Sequence, residues 1–149
     1  RMMVNYFLST VRYEKTMENG LNKTVSEQYL FDALSFTEAE ARTIEELKPY
    51  ISGEFTIPQI VKPRISELFL SDDTAADRYY KVKVSFITLD EKSGAAKKTN
   101  SFILVQASDF KNAYDRFIEG MKGSMSNYEI VSIVETMIMD YYPVKYDEK

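Results

Sequence analysis

Laid on itself with a shift of 74 residues, the chain repeats. Tyr6 falls on Tyr80, Gly20 on Gly94, Lys23 on Lys97, Leu30 on Leu104, Ala33 on Ala107, Phe36 on Phe110, Ala39 on Ala113, Arg42 on Arg116, Ile44 on Ile118 and Glu45 on Glu119. Unrelated sequences of average usage agree at about 6% of aligned positions, so these identities between Tyr6 and Glu45 point to a tandem duplication. One deletion later, at a shift of 73, Ile57, Ile60, Val61 and Ile65 land on Ile130, Ile133, Val134 and Ile138. The 149 residues then read as a single domain of two repeats, 4–70 and 78–143. Ser71 to Asp77 form a polar connection, and 144–149 a short polar tail.

Each half reads as strand, turn, strand, helix, strand. Tyr6 to Lys15 and Thr24 to Ala33 flank Asn19-Gly20, a strong hairpin signal. Tyr79 to Leu89 and Thr99 to Ala107 flank Ser93-Gly94 in the same places. Ser35-Phe36-Thr37-Glu38 has the form of a capping box, and Asp109 stands at the equivalent helix start. The apolar stripe Phe36, Ala39, Ile44 and Leu47 follows the first cap, and Phe110, Ala113, Tyr114, Phe117, Ile118 and Met121 the second, ending at Gly120 to Gly123. At helical spacing such stripes are core.

The third strands are long on this reading, from Phe55 to about Leu70 and from Tyr128 to about Tyr142. Pro58 and Pro63 remove ladder donors and place the first copy at a sheet edge or on bulges. The second copy is apolar on both sides, with Tyr128, Ile130, Val134 and Ile138 against Val131, Ile133, Met137 and Met139. That pattern predicts cover on both faces. A helix joining the second and third strands makes them parallel, with the first strand between them. The fold class is α+β: two pseudo-symmetric β-β-α-β repeats, antiparallel-rich mixed sheets, and two helices packed on one face. One merged six-stranded sheet and a half-barrel both satisfy the pattern.

Composition narrows the chemistry. There is no histidine, cysteine or tryptophan. Thiol nucleophiles, Ser-His-Asp triads and the usual zinc and haem ligand sets are therefore missing together. Asp, Glu, Lys and Tyr remain for acid–base work, and no arrangement of them names a reaction, so the chain reads as a non-enzyme without cofactor or metal. No phosphate-cradling glycine motif occurs. Glu38, Glu40, Glu45 and Glu46 are solvated helix charge, and Asp72 and Asp73 would need further oxygen ligands to hold a cation. Asn22-Lys23-Thr24 is a chance glycosylation sequon without a secretory signal.

No run approaches the roughly 20 apolar residues of a membrane span, and no signal-peptide core opens the chain, so a cytoplasmic location is expected. Arg1 ahead of Met2 and Met3 reads as an addition to the native start. The net charge of −4 argues against a dedicated nucleic-acid binder. Lys92, Lys97 and Lys98, with Arg78, Lys81 and Lys83, read first as solvated hairpin charge.

Two features remain for function. Eleven tyrosines, some paired as in Tyr79-Tyr80 and Tyr141-Tyr142, suit interfaces, base stacking or ligand pockets. Tyr29, Phe31 and Ala33 with Ile103, Val105 and Ala107 form a row for the helices to cover, whereas Leu30, Phe102 and Leu104 point the other way. That second face calls for the other half, a second copy or a flat ligand. Arg12, Tyr13, Lys62, Arg64, Lys81 and Lys83 are the candidate ligand-binding residues, placed to meet a small anionic, nucleotide-like ligand in a cleft between the repeats. The leading reading is an interaction protein working through a sheet face or that cleft, with itself as homodimer or another protein as partner. A small-anion binder and a weak single-stranded nucleic-acid binder are the alternatives.

The run Tyr29-Leu30-Phe31-Asp32-Ala33-Leu34-Ser35-Phe36-Thr37-Glu38-Ala39-Glu40-Ala41, then Ile51-Ser52-Gly53-Glu54-Phe55 and Leu104-Val105-Gln106-Ala107, resembles an uncharacterised bacterial family. It is a domain of unknown function from gut-type Bacteroidetes and their phages or mobile elements. The resemblance covers nearly the whole chain, rests on structural residues, and implies a phage-linked cytoplasmic accessory protein with no catalytic residues to carry over.

Overall fold

The computed structural model describes residues 4–144; the reading of Arg1 and the tail beyond Val144 fall outside them. Ten elements follow in order: β1 (Asn5–Thr16), β2 (Asn22–Ala33), α1 (Phe36–Leu47), β3 (Phe55–Val61), β4 (Glu67–Phe69), β5 (Arg78–Leu89), β6 (Ala96–Ala107), α2 (Phe110–Met121), β7 (Asn127–Glu135) and β8 (Ile138–Tyr142). They build two four-stranded sheets, ordered β3-β1-β2-β8 and β4-β6-β5-β7. The chain divides into two compact units, residues 1–63 with 137–149 (unit 1) and residues 64–136 (unit 2).

Both units follow one plan. β1 pairs antiparallel with β2 and β3, and β5 does so with β6 and β7. The outer two strands of each trio are thus parallel to each other with the first strand between them, as the helical crossover requires. Gly20 and Gly94 take positive φ in the hairpin turns, 83° and 72°, a conformation glycine adopts without steric cost.

The helix starts match the sequence reading. Ser35 Oγ accepts from the Glu38 amide at 3.1 Å, while the Glu38 carboxylate accepts from the Leu34 amide at 3.0 Å. Asp109 accepts from the Asn112 amide at 2.8 Å, and Asn112 in turn accepts from the Ser108 amide. The buried stripes are narrower than expected, Ala39, Thr43 and Leu47 on α1 and Ala113 and Phe117 on α2. Phe36, Ile44, Phe110 and Tyr114 are exposed instead. Thr43 enters the core because its hydroxyl reaches the Ala39 carbonyl at 2.7 Å and Ser9 Oγ at 2.8 Å, which satisfies two buried hydroxyls. Side chains of the size of Phe7, Phe31 and Phe117, all fully buried, each stabilise the fold by about 1.5–3 kcal/mol.

The third strand is where expectation fails. Phe55 to Leu70 is not one strand: β3 ends at Val61, Pro63 follows, and β4 joins the sheet of unit 2, parallel to β6. Tyr128 to Tyr142 breaks as well, and β8 joins the sheet of unit 1, parallel to β2. No proline causes this second break. Thr136 turns the chain by donating both its amide, at 2.9 Å, and its hydroxyl, at 2.8 Å, to the Tyr79 carbonyl. Each repeat therefore supplies the fourth strand of the other repeat's sheet.

The cover expected on both faces of the second copy is also absent, since Val131, Val134, Met137 and Met139 are exposed. Lys83 pairs with Ser132 and Val84 with Ile130, leaving Val131 as a bulge. One extra residue shifts the alternation, so Tyr128, Ile130 and Ile133 all reach the core under α2. The first strands correspond at a shift of 73, since Asn5 pairs with Ala33 as Arg78 pairs with Ala107. Phe7, not Tyr6, is thus the counterpart of Tyr80, and the second hairpin turn holds the additional residue.

A corresponding arginine clamp secures each exchanged strand. Arg42 donates to the carbonyls of Asp32, Tyr142 and Pro143, and Arg116 to those of Gln106 and Leu70. The Asp32 carboxylate accepts from the Val144 amide at 3.2 Å, and the Gln106 side-chain oxygen from the Ser71 amide at 3.0 Å. Gly120 completes the seat in unit 2, because a Cβ there would stand 2.5 Å from the Phe69 ring.

Candidate functional site

In unit 2 the strand alternation sends Tyr80, Val82 and Val84 under α2, and Lys81 and Lys83 to the opposite face. Phe102 lies directly across from Lys83 in the β5–β6 register. The Arg64 guanidinium carbon sits 4.6 Å from the Phe102 ring centroid and the Lys81 Nζ 5.0 Å from it. Such contacts hold a cation through the ring quadrupole. The ion pairs found among the described residues join Arg42–Glu46, Arg78–Glu135, Lys98–Glu129, Lys111–Asp115 and Lys122–Glu119. Arg64, Lys81 and Lys83 belong to none of them, although Lys81 and Lys83 are half-buried. Two cations thus lie over one ring and Lys83 stands opposite it in the register, and among the described residues none of the three is ion-paired with a carboxylate.

Unit 1 does not converge in this way. Arg12 is exposed on the face away from α1, with its Nε 3.4 Å from Ser26 Oγ, whereas Tyr13, next in the strand, turns to the other face. Lys62 stands at the end of β3, its Nζ 5.7 Å from the Phe7 ring and 5.9 Å from the Phe36 ring. Leu30 and Leu104, on the faces away from the helices, are buried within the single chain. Phe102 is half-buried, and cations cover it.

A tyrosine cluster in unit 1 contains the candidate residue Tyr13 and the pair Tyr141-Tyr142, and adds Tyr29, which the sequence reading placed only in the apolar row under the helix. The Tyr13 and Tyr29 hydroxyls both donate to Glu27 Oε1 at 2.9 Å. Burial, reinforced by that carboxylate, pushes Tyr13 up to about 12 and Tyr29 further in the same direction. Tyr142 is raised to about 12 by burial and then by Asp140, Glu46 and Tyr50. Tyr141 is raised by burial and by the Asp32 carboxylate, to which its hydroxyl donates at 2.8 Å. At neutral pH all four phenols are protonated.

Against known families, a domain of unknown function matches residues 5–144. The chain belongs to the DUF4494 family. This accords with the resemblance read from Tyr29 to Ala41 as far as an uncharacterised domain goes. No curated protein matches the chain. Neither helix of this DUF4494 protein is long and apolar enough to cross a membrane, each having 12 residues. Among the described residues no three acidic side chains gather where a metal ion could be held.

Proposed function

We propose that this DUF4494 protein is a non-catalytic binding protein whose working surface is the sheet face of unit 2, and that its ligand there is a small nucleotide-like anion. The observation that carries the reading is the set of Arg64 and Lys81 over Phe102 with Lys83 opposite it in the register, without a carboxylate partner among the described residues, in a chain of net charge −4. Half-buried cations lose hydration that a ring face repays only in part, and a phosphate supplies both the charge and the acceptors they lack. A non-catalytic role fits the tyrosines, since their proton affinities move away from the neutral range in which a general base operates.

Thermal unfolding against a panel of nucleoside mono- and diphosphates tests this. The midpoint rises with ligand concentration, and the rise disappears in Lys81→Ala/Lys83→Ala. No shift with any member of the panel overturns the reading. A response only to oligonucleotides, weakening with salt, replaces it with single-stranded nucleic-acid binding.

A second copy as partner rests on a separate observation. β7 is an edge of its sheet and exposes Val131 and Val134, 54% and 57% accessible. Light scattering across micromolar concentrations shows a dimer on this reading, and a strict monomer removes it.

A further inference from the structure

Residues on the sheet face of unit 2 stand in rows across the strands. Lys83 lies between Phe102 on β6 and Ser132 on β7, and Lys81 between Leu104 and Val134. One pleat the other way, Ser85 lies between Asn100 and Glu129, whose carboxylate is paired with Lys98 at 3.3 Å. Two hydroxyls thus neighbour Lys83, and the carboxylate on the Ser85 row is already balanced.

Arg64 reaches this face from the segment ahead of β4. Ser66, two residues on, donates its amide at 2.8 Å and its hydroxyl at 2.9 Å to the Phe102 carbonyl. The backbone that carries the guanidinium is therefore tied to the residue whose ring the guanidinium covers. Unit 1 keeps the scaffold without these groups. By the strand registers, Lys81, Lys83 and Phe102 correspond to Leu8, Thr10 and Gln28, and Arg12 stands where unit 2 has Ser85.

A base stacks on an aromatic side chain through an open ring face. At Phe102 the Arg64 guanidinium carbon and the Lys81 Nζ already stand 4.6 and 5.0 Å from the centroid, so a base arriving there would displace a cation that the ligand needs. Lys81 and Lys83, two residues apart on one strand, rise from backbone positions about 6.7 Å apart, a span that a chain of phosphates covers better than a single one. A phosphate monoester carries about −1.5 to −2 charge, and a second phosphate brings charge for the third cation. We propose that this face recognises its ligand by a chain of two phosphates and not by the base. This rests on the anion-binding reading and narrows it. Arg64, Lys81 and Lys83 donate to phosphate oxygens, Ser85 and Ser132 add neutral donors, and Phe102 holds cations in place.

Inorganic diphosphate, ADP, CDP, AMP and inorganic phosphate are each titrated calorimetrically into the whole protein in magnesium-free buffer. Diphosphate, ADP and CDP bind within about threefold of one another and about tenfold more tightly than AMP or phosphate, the gain of a charge-assisted contact with the second phosphate. Lys83→Gln weakens all three about tenfold. Phe102→Leu frees the cations but keeps an apolar side chain at a half-buried position, and it weakens diphosphate and ADP by the same factor. A stacked base would make Phe102→Leu costly for ADP alone, or separate ADP from CDP by about tenfold. Either result, or AMP binding as tightly as ADP, overturns the proposal and leaves the anion-binding reading standing. No binding by any of the five compounds, or an unaffected Lys83→Gln variant, overturns both.

Discussion

In unit 1 the exchanged strand β8 is held by a charge: Asp32 accepts from the Tyr141 hydroxyl and the Val144 amide. In unit 2 the corresponding Gln106 is neutral, accepting from the Ser71 amide and donating to the Ala76 carbonyl at 3.0 Å. An arginine clamp stands at the same place on both sides and the register is the same, so backbone geometry was kept while side-chain chemistry diverged. Unit 1 gathered tyrosines and carboxylates, and unit 2 gathered cations around Phe102. What two copies still share is what holds the sheets together. What they no longer share marks where ligands are to be sought.

The comparison can be broken at the clamp. Asp32→Ala leaves a half-buried phenol and an amide without their charged acceptor and costs about 3 kcal/mol, whereas Gln106→Ala costs about 1 kcal/mol. Equal losses in urea unfolding would mean that the charge in unit 1 contributes nothing special. Gly120→Ala forces the Phe69 ring away from α2. Overpacking of about 1–3 kcal/mol, less about 1 kcal/mol regained in helix propensity, leaves a net loss near 1 kcal/mol. A stabilised variant would show that β4 has room to shift.

Arg42→Lys and Arg116→Lys each sacrifice fork geometry on the carbonyls of the incoming strand, and the two losses should agree within about 0.5 kcal/mol. Unequal values would sharpen the contrast by exposing a difference hidden in the shared clamp. The smallest effect is alkaline. The folded state raises Tyr13 and Tyr142 to about 12, so the neutral phenol is favoured by folding. Their contribution is intact below the unfolded value of about 10 and fades as pH rises through 12. Unfolding midpoints measured over that interval should fall less steeply in Tyr13→Phe, and an unchanged slope would remove Tyr13 from the account.

Much of the fold was legible because its signals are local. Asn19-Gly20, Ser35 with Glu38, and Asp109 act on their own neighbours, and each does in the structure what its chemistry dictates. The strand exchange was not legible. The second break depends on Thr136 finding the Tyr79 carbonyl, 57 residues away, and apolar alternation carries no address for the sheet a strand will join. The bulge at Val131 is likewise a property of pairing, invisible until Lys83 and Val84 choose their partners. Of the candidate binding residues, Arg64, Lys81 and Lys83 meet because they flank Phe102. Arg12 and Tyr13 part because neighbouring strand positions face opposite ways, and Lys62, just past β3, lies over the Phe7 and Phe36 rings instead. The tyrosines of unit 1 were foreshadowed by their surplus and by the Tyr141-Tyr142 pair, but not their meeting, since Tyr29 lies on β2 and Tyr142 on the exchanged strand.

The exchange also dictates an order of assembly. Asp32 and Val144 are 112 residues apart, so a ribosome making this protein releases β1, β2, α1 and β3 long before the strand that seals their sheet exists. During that interval the open flank of β2 is exposed to whatever passes, and a chaperone or a neighbouring nascent chain can reach it first. Loss of β8 would therefore injure a sheet made well before it and leave the unit synthesised just before it with its own sheet complete.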